Sequence, residues 1–393
     1  MRHPVYESLG VRPIINAVGT LTRIGGSLMA PEVVQSMVEA SKAFVSLKEL
    51  QEKVGERIAQ LLGVEAAYVS CGASAGLALT IAACMTGIDL AKIDRLPDTT
   101  GMKNEVVMPR AHRNLYDRPI RTVGARIVEF GLSGYTFAWQ LEAAITERTA
   151  AVFLMGGQEA RALPVEVVAR IAHCHDVPVI VDAAAEVPPV DNLQRYLREG
   201  ADIALFSGGK AISGPQATGL VLGSKRIIEA IALNGPPDHG IGRPMKVSKE
   251  ETIGLLTALE LYLARDHEAD IARWTRYLAC IAEAATSVPG VRCQVFYTSS
   301  DGAPVPRLDI TLDAAQARVT PEQAFNRLLY GEPRIRVAQT GRGFTVNPMM
   351  LQEGEAEVVA ERVVSVLSCS RPEDAAIDDW VTPHQWALDN LVL

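Results

Sequence analysis

The feature that most constrains this chain is a series of short, nearly all-apolar runs between residues 66 and 223. They are Ala66 to Val69, Glu105 to Met108, Arg126 to Phe130, Ala150 to Met155, Val177 to Asp182, Ile203 to Phe206 and Gly219 to Gly223. Strands with one wet face alternate apolar and polar residues, whereas continuous apolar runs are strands covered on both sides. Helical patterns over Ala138 to Ile145, Pro164 to His175 and Asn192 to Glu199 separate several of the runs. The alternation predicts an α/β fold, a mostly parallel sheet with helices on both faces, whose ligands sit beyond the carboxyl ends of the strands. One helix is expected from Val34 to Leu62, stopped by Gly63, and an apolar one from Leu77 to Met85. After Val247 the pattern changes: a long helical stretch, Lys249 to Ala285, leads to shorter strands and a last helix, Glu353 to Leu367. The expected division is an N-terminal segment, 1–45, packing on the small domain, a large domain, 46–250, and a smaller α+β C-terminal domain, 251–393.

Composition narrows the function. The 393 residues are 48% hydrophobic and carry a net charge of −8, a poor balance for clamping nucleic-acid phosphates and a good one for small-molecule chemistry. The densest apolar stretch, Leu77 to Ala91, is broken by Thr80, Thr86 and Asp89 and falls short of the roughly 20 residues of a membrane span. The start has no apolar leader, and the cysteines at 71, 84, 174, 280, 293 and 369 lack paired spacing. A cytoplasmic protein with reduced thiols and no bound metal is expected.

Chemistry concentrates at strand ends. Ser207-Gly208-Gly209-Lys210-Ala211-Ile212-Ser213-Gly214-Pro215-Gln216 puts a lysine directly after a buried strand, among residues small enough for another molecule to approach the backbone. A buried, unpaired ammonium is costly, and conversion to an imine removes the cost. Asp182 ends the run Val177 to Asp182, where a carboxylate can cap a following helix or bond to a pyridine nitrogen. The two together point to pyridoxal 5'-phosphate (PLP) on Lys210 with its ring charge balanced by Asp182. Gly72-Ala73-Ser74-Ala75-Gly76 lies between a strand and an apolar helix, a cradle for a phosphate on free backbone amides, and fits neither nucleotide-binding glycine motif. In Arg110-Ala111-His112-Arg113, His112 is a candidate to stack on the cofactor ring, and Arg110 and Arg113 to bind a substrate anion, against the alternative of a solvated basic loop. His173 and His175, two apart on a helix, point to different faces and make a poor metal pair.

These residues resemble the selenocysteine synthase (L-seryl-tRNA(Sec) selenium transferase) family and its shorter D-glucosaminate-6-phosphate ammonia-lyase branch. The lysine motif with Gly219, the opening Arg12-Pro13-Ile14-Ile15-Asn16-Ala17-Val18-Gly19-Thr20, His112-Arg113-Asn114, Asp182-Ala183-Ala184-Ala185-Glu186 and Gly242-Arg243-Pro244-Met245-Lys246-Val247 carry the resemblance, over about residues 10 to 365. It implies the fold-type-I PLP-dependent transferase fold, Lys210 as the Schiff-base lysine, Asp182 at the pyridine nitrogen, His112 against the ring and Gly72, Ala73, Ser74 and Ser207 around the cofactor. It also implies a homodimer or higher homo-oligomer, with Arg243 and Lys246 candidates to reach a neighbouring subunit's site. Two departures stand out. Gly209 precedes the lysine where selenocysteine synthases usually have Asp, and the chain starts almost at the catalytic body, without their N-terminal tRNA-binding domain; with the acidic charge, a tRNA substrate is not expected.

The activity expected is that of a lyase. The amine of Lys210 removes the Cα proton of an amino acid, a hydroxyl is expelled from Cβ, and a 2-oxo acid and ammonia result. Arg334 or Arg336 is the candidate for the substrate carboxylate, ahead of Arg342, with Arg161 a further basic residue suited to a second anion. The same carbanion would serve a racemase, an epimerase or an aminotransferase; a selenium transferase or a non-catalytic PLP-binding protein is less favoured.

Overall fold

The computed structural model describes residues 3–297 and 305–380. They form two compact units: one of residues 27–265, the other of residues 3–26 together with 266–297 and 305–380.

The larger unit is built on a seven-stranded sheet, in the order Ala66–Ser70, Gly219–Gly223, Ile203–Ser207, Val179–Asp182, Thr149–Met155, Glu105–Pro109, Arg126–Phe130. Every apolar run read from the sequence is a strand of this sheet. Gly219–Gly223 alone runs antiparallel to its neighbours; the other strands share one direction. From Thr149–Met155 the chain winds toward one edge, through Val179–Asp182 and Ile203–Ser207, while Glu105–Pro109 leads to the opposite edge. The crevice between Thr149–Met155 and Glu105–Pro109 is therefore the switch point, where ligands of open α/β sheets collect. Helix Ala73–Thr86 is apolar nearly all round because it is buried all round, with Leu77, Leu79 and Ile81 fully covered over the sheet residues Val106, Phe153 and Leu205.

Two expected long helices are each a pair. Val34 to Leu62 is divided into Pro31–Ser41 and Leu47–Leu62, because Ser46 caps the second helix by accepting from the Glu49 amide. Lys249 to Ala285 is divided into Lys249–Ala264 and His267–Thr286, with Asp266 accepting from the Ala269 amide at 3.0 Å. This second break is also where the chain passes between units, after Arg265 and not after residue 250 as expected. Helix Lys249–Ala264 stays in the larger unit because it packs on Pro31–Ser41: a Cβ on Gly254 would lie 2.9 Å from Met37 Cγ, and Lys249 Nζ donates to the Ala40 carbonyl at 2.7 Å. For the same reason residues 27–45 belong to the larger unit.

The smaller unit has a four-stranded antiparallel sheet in the order Ala338–Thr340, Gly343–Val346, Pro306–Leu312, Val291–Tyr297. Leu278 and Ile281 of helix His267–Thr286, Phe325 of Pro321–Tyr330 and Val359 and Val363 of Glu355–Leu367 bury its apolar face with Leu308, Ile310 and Phe344. Ile15–Asn16, from the start of the chain, pairs in parallel with Ile335–Arg336. Arg362, 1% exposed, is held by both carboxylate oxygens of Asp374 at 2.7 and 2.5 Å.

Candidate active site

Lys210 lies in the loop that joins the adjacent antiparallel strands Ile203–Ser207 and Gly219–Gly223. The loop is closed on itself: the Gly208 amide donates to the Thr218 carbonyl at 2.9 Å, the Gly214 amide to the Gly208 carbonyl at 2.9 Å and the Ser213 amide to the Lys210 carbonyl at 2.9 Å. Ser27 adds a bond from its hydroxyl to the Gly209 carbonyl at 3.0 Å. The loop leaves no room for a side chain at Gly209, since a Cβ there would lie 2.5 Å from the Gln216 Cα.

Asp182 ends the next strand and is 7% exposed. Its Oδ1 accepts from the Ala184 amide at 3.1 Å. Burial pushes its carboxyl above the usual carboxylate value, against the pull of the Ala184 amide and of the Lys210 charge. Burial likewise lowers the Lys210 amine, while Asp182 and Glu186 draw it upward. A lysine with a lowered proton affinity is a competent nucleophile toward an aldehyde and a competent base.

The Gly72–Gly76 turn is the N-terminus of helix Ala73–Thr86. No side chain caps it, so the first amides of the helix are available to an anion, with the helix dipole aligned behind them. Gly219 fits directly under the turn: a Cβ there would lie 2.4 Å from the Gly72 carbonyl carbon and 2.5 Å from the Ala73 nitrogen. The strand following the Lys210 loop thus supports the cradle at the head of helix Ala73–Thr86. Ser74 is exposed at the turn, and Ser207, half-buried, pairs with Gly219.

His112 occupies the switch point. It is 2% exposed, accepts from the Met155 amide at Nδ1 (3.0 Å) and meets the Gln158 carbonyl at Nε2 (3.3 Å). An Nδ1 that accepts carries no proton, so the ring is neutral with its hydrogen on Nε2, donated to Gln158. Burial also holds its pKa below the usual 6.5. The strand ends thus bring together a half-buried amine, a buried carboxylate, a neutral imidazole and an uncapped helix terminus. This set suits PLP: amides for the phosphate, an acid for the ring nitrogen, a flat ring for stacking and an amine for the aldehyde.

The basic residues are placed differently. Arg110 pairs with Glu129 at 2.9 Å, and Arg113 is shared between Asp117 at 2.6 Å and Glu129, so both already face carboxylates at this edge. Arg334 and Arg336 belong to the smaller unit, where Arg334 Nε donates to the Leu329 carbonyl at 3.0 Å and the Arg336 guanidinium lies 4.9 Å over the Phe325 ring. Arg161 is exposed after the strand Thr149–Met155. His173 bonds to Asp202 and His175 to Glu142, away from each other. Sequence reasoning assigned no role to Ser27, Gly156, Tyr196 or Glu186. Glu186 stood in the resemblance motif, four residues past Asp182, and that spacing across a tight turn was the available signal.

A family model described as L-seryl-tRNA selenium transferase matches residues 117–285. The chain is 35% identical to D-glucosaminate-6-phosphate ammonia lyase of Salmonella typhimurium, over 91% of this chain and 96% of that one. It is 30% identical to 5'-C-glycyluridine monooxygenase-decarboxylase of a Streptomyces species, over 92% of each. A solved structure of D-glucosaminate-6-phosphate ammonia-lyase superposes with a TM-score of 0.83 at 33% identity, covering 94% of this chain and 99% of that one. At this identity over nearly the whole of both chains, the chain belongs to the D-glucosaminate-6-phosphate ammonia-lyase and selenium-transferase family of fold-type-I, PLP-dependent enzymes.

Proposed function

We propose that this enzyme is an ammonia-lyase acting on an amino acid with a hydroxyl at Cβ. The observation that carries the proposal is the placement of a half-buried amine of lowered proton affinity, Lys210, within the influence of a buried carboxylate, Asp182, at adjoining strand ends of a chain 35% identical to an ammonia lyase. Bound through Lys210, PLP supplies an electron-withdrawing ring that stabilises negative charge at the substrate's Cα. Asp182 holds the ring nitrogen's proton. The amides at the Gly72–Ser74 turn bind the phosphate, and His112 fixes the plane of the ring. When the substrate takes its place, the freed Lys210 amine accepts the Cα proton and the C–H electron pair stays with the substrate. The Cβ hydroxyl then leaves as water, taking up the proton carried by the Lys210 ammonium, and hydrolysis of the product by water gives a 2-oxo acid and ammonia. His112, its Nδ1 occupied by the Met155 amide, moves no proton.

The enzyme works in the cytoplasm as a homodimer or larger homo-oligomer on small molecules. Support for a second copy comes from exposed apolar residues on the helix Pro31–Ser41 and beside it: Leu28, Val34, Val38 and Phe44, the last fully exposed. Among the described residues no helix is long and apolar enough to cross a membrane. The test is incubation with D- and L-β-hydroxy amino acids, phosphorylated and not, measuring 2-oxo acid, ammonia, inversion at Cα and oxygen uptake. Stoichiometric 2-oxo acid and ammonia is the expected result. Inversion alone would make the protein a racemase, and oxygen-dependent release of carbon dioxide would ally it with the Streptomyces relative.

A further inference from the structure

We propose that Glu186 is a second carboxylate of the Lys210 site, a positioning residue that holds the proton on the Lys210 amine after the lysine has taken it from the substrate. The proposal rests on the lyase reading above for the identity of the proton, and on the larger unit alone for its geometry.

Residues 183–186 form a turn, with the Glu186 amide donating to the Ala183 carbonyl at 3.0 Å. The turn docks on the strand that leads to Lys210: the Ala183 amide donates to the Leu205 carbonyl at 2.9 Å and the Ser207 amide to the Ala184 carbonyl at 3.4 Å. Asp182 and Glu186 therefore leave the two ends of one turn docked beside the strand that leads to Lys210, and the charges of both act on its amine. The Glu186 side chain is packed into the site. It is 6% exposed, and at Gly156 a Cβ would lie 3.0 Å from Glu186 Cγ and 2.8 Å from the Tyr196 hydroxyl, so glycine is what lets both side chains approach the end of the strand Thr149–Met155.

Charge counting gives the buried acid its task. With Asp182 balancing the ring nitrogen, nothing of that carboxylate is left for the lysine. When Lys210 takes up a proton it becomes an ammonium in a place where burial opposes charge, and it needs a second anion. Lys210 and Asp182 lie at adjoining strand ends beside this turn, Tyr196 and Arg195 come from the helix Asn192–Arg198, and Glu159 lies just past the strand Thr149–Met155. Arg195 is engaged by Glu159 at 3.0 Å and Glu199 at 2.6 Å. Tyr196 stays neutral, its hydroxyl held well above the ordinary phenol value by burial first and by the Glu186 charge next. The chemical step is a simple transfer: the Cα–H bond breaks, an N–H bond forms at Lys210 and the electron pair remains with the substrate.

The experiment is pH-dependent acylation of the amines in the cofactor-free full-length chain, with Lys210 read by mass spectrometry in the wild type, E186Q and E186D. On this proposal the two charges lie within about 4–6 Å, where removing the anion lowers an amine by about one unit or more, so labelling of Lys210 near neutral pH should rise at least about tenfold in E186Q. E186D keeps the charge one methylene farther back and should fall between E186Q and the wild type. In cofactor-loaded protein the pH midpoint of the visible absorbance should fall in the same order. Wild-type labelling of Lys210 in folded E186Q overturns the proposal; where E186Q does not fold, wild-type labelling and absorbance in E186D do so. The labelling involves neither substrate nor cofactor, so failure of the lyase reading, seen as no 2-oxo acid from the wild type, leaves its result distinct.

Discussion

Replacing Gly219 by Ala tests the phosphate cradle through one methyl group. Gly219 has ordinary strand geometry, so alanine adds no backbone strain, only a Cβ 2.4 Å from the Gly72 carbonyl carbon and 2.5 Å from the Ala73 nitrogen. Ordinary contact begins at 3.4 Å, so strand and turn must separate by about 1 Å. The strand is bonded on both sides, to Ser70 and to Ser207, and the turn is the part that yields. A hydrogen bond of about 2.9 Å lengthened by about 1 Å is lost, and a bond to a charged group is worth about 1.5–3 kcal/mol. Loss of one or two phosphate bonds therefore costs about 1.5–6 kcal/mol, or roughly 10- to 20,000-fold in PLP affinity. The assay is equilibrium titration of the cofactor-free protein with PLP by visible absorbance, with circular dichroism to verify the fold. Gly134→Ala is the control, since a Cβ there meets nothing within 4 Å. If folded G219A binds PLP within a factor of about three of the wild type, the phosphate is not held at the Gly72–Ala73 turn.

K210A should show no visible absorbance with PLP and no borohydride-stable adduct, checked by intact mass. D182N should lose turnover, yet its cofactor-free form should melt higher than the wild type. Burial raises the Asp182 carboxyl in the folded state, so the stability this group lends is present at low pH and lost as pH rises through that raised value; thermal melts should show the gap between D182N and wild type widening toward neutral pH. His112 has the opposite sign: its folded value lies below 6.5, so its contribution is full above 6.5 and is lost as pH falls through the lowered value, and H112F should lose less stability on acidification. D374A strands the buried Arg362 guanidinium and should cost about 3–5 kcal/mol in denaturant unfolding.

Much of this was legible because burial on both faces leaves an unmistakable mark: a strand such as Val179–Asp182 has no polar residue until the one at its end. Lys210 was legible for the same reason, as a charge directly after a buried run. The helix breaks at 46 and 266 were written in Ser46 with Glu49 and in Asp266, but apolar spacing continues across both and masked them. The reversed direction of Gly219–Gly223 was not legible, since a central strand has the same composition whichever way it runs. Nor was the commitment of Arg113, because one of its carboxylates, Glu129, comes from the neighbouring strand and only the register of the sheet brings the two together.

The imidazole at 112 has a consequence for how a flat ligand would be oriented. A phenyl ring would fill the same space and offer the same flat surface, but it could spin about its own axis. Two backbone groups grip this ring at its two nitrogens, which fixes its rotation, and both come from the end of the central strand Thr149–Met155 and the turn after it. Sideways pressure on the ring is thus passed to the sheet itself, and the plate against which a cofactor would lie is as stiff as the scaffold that carries it.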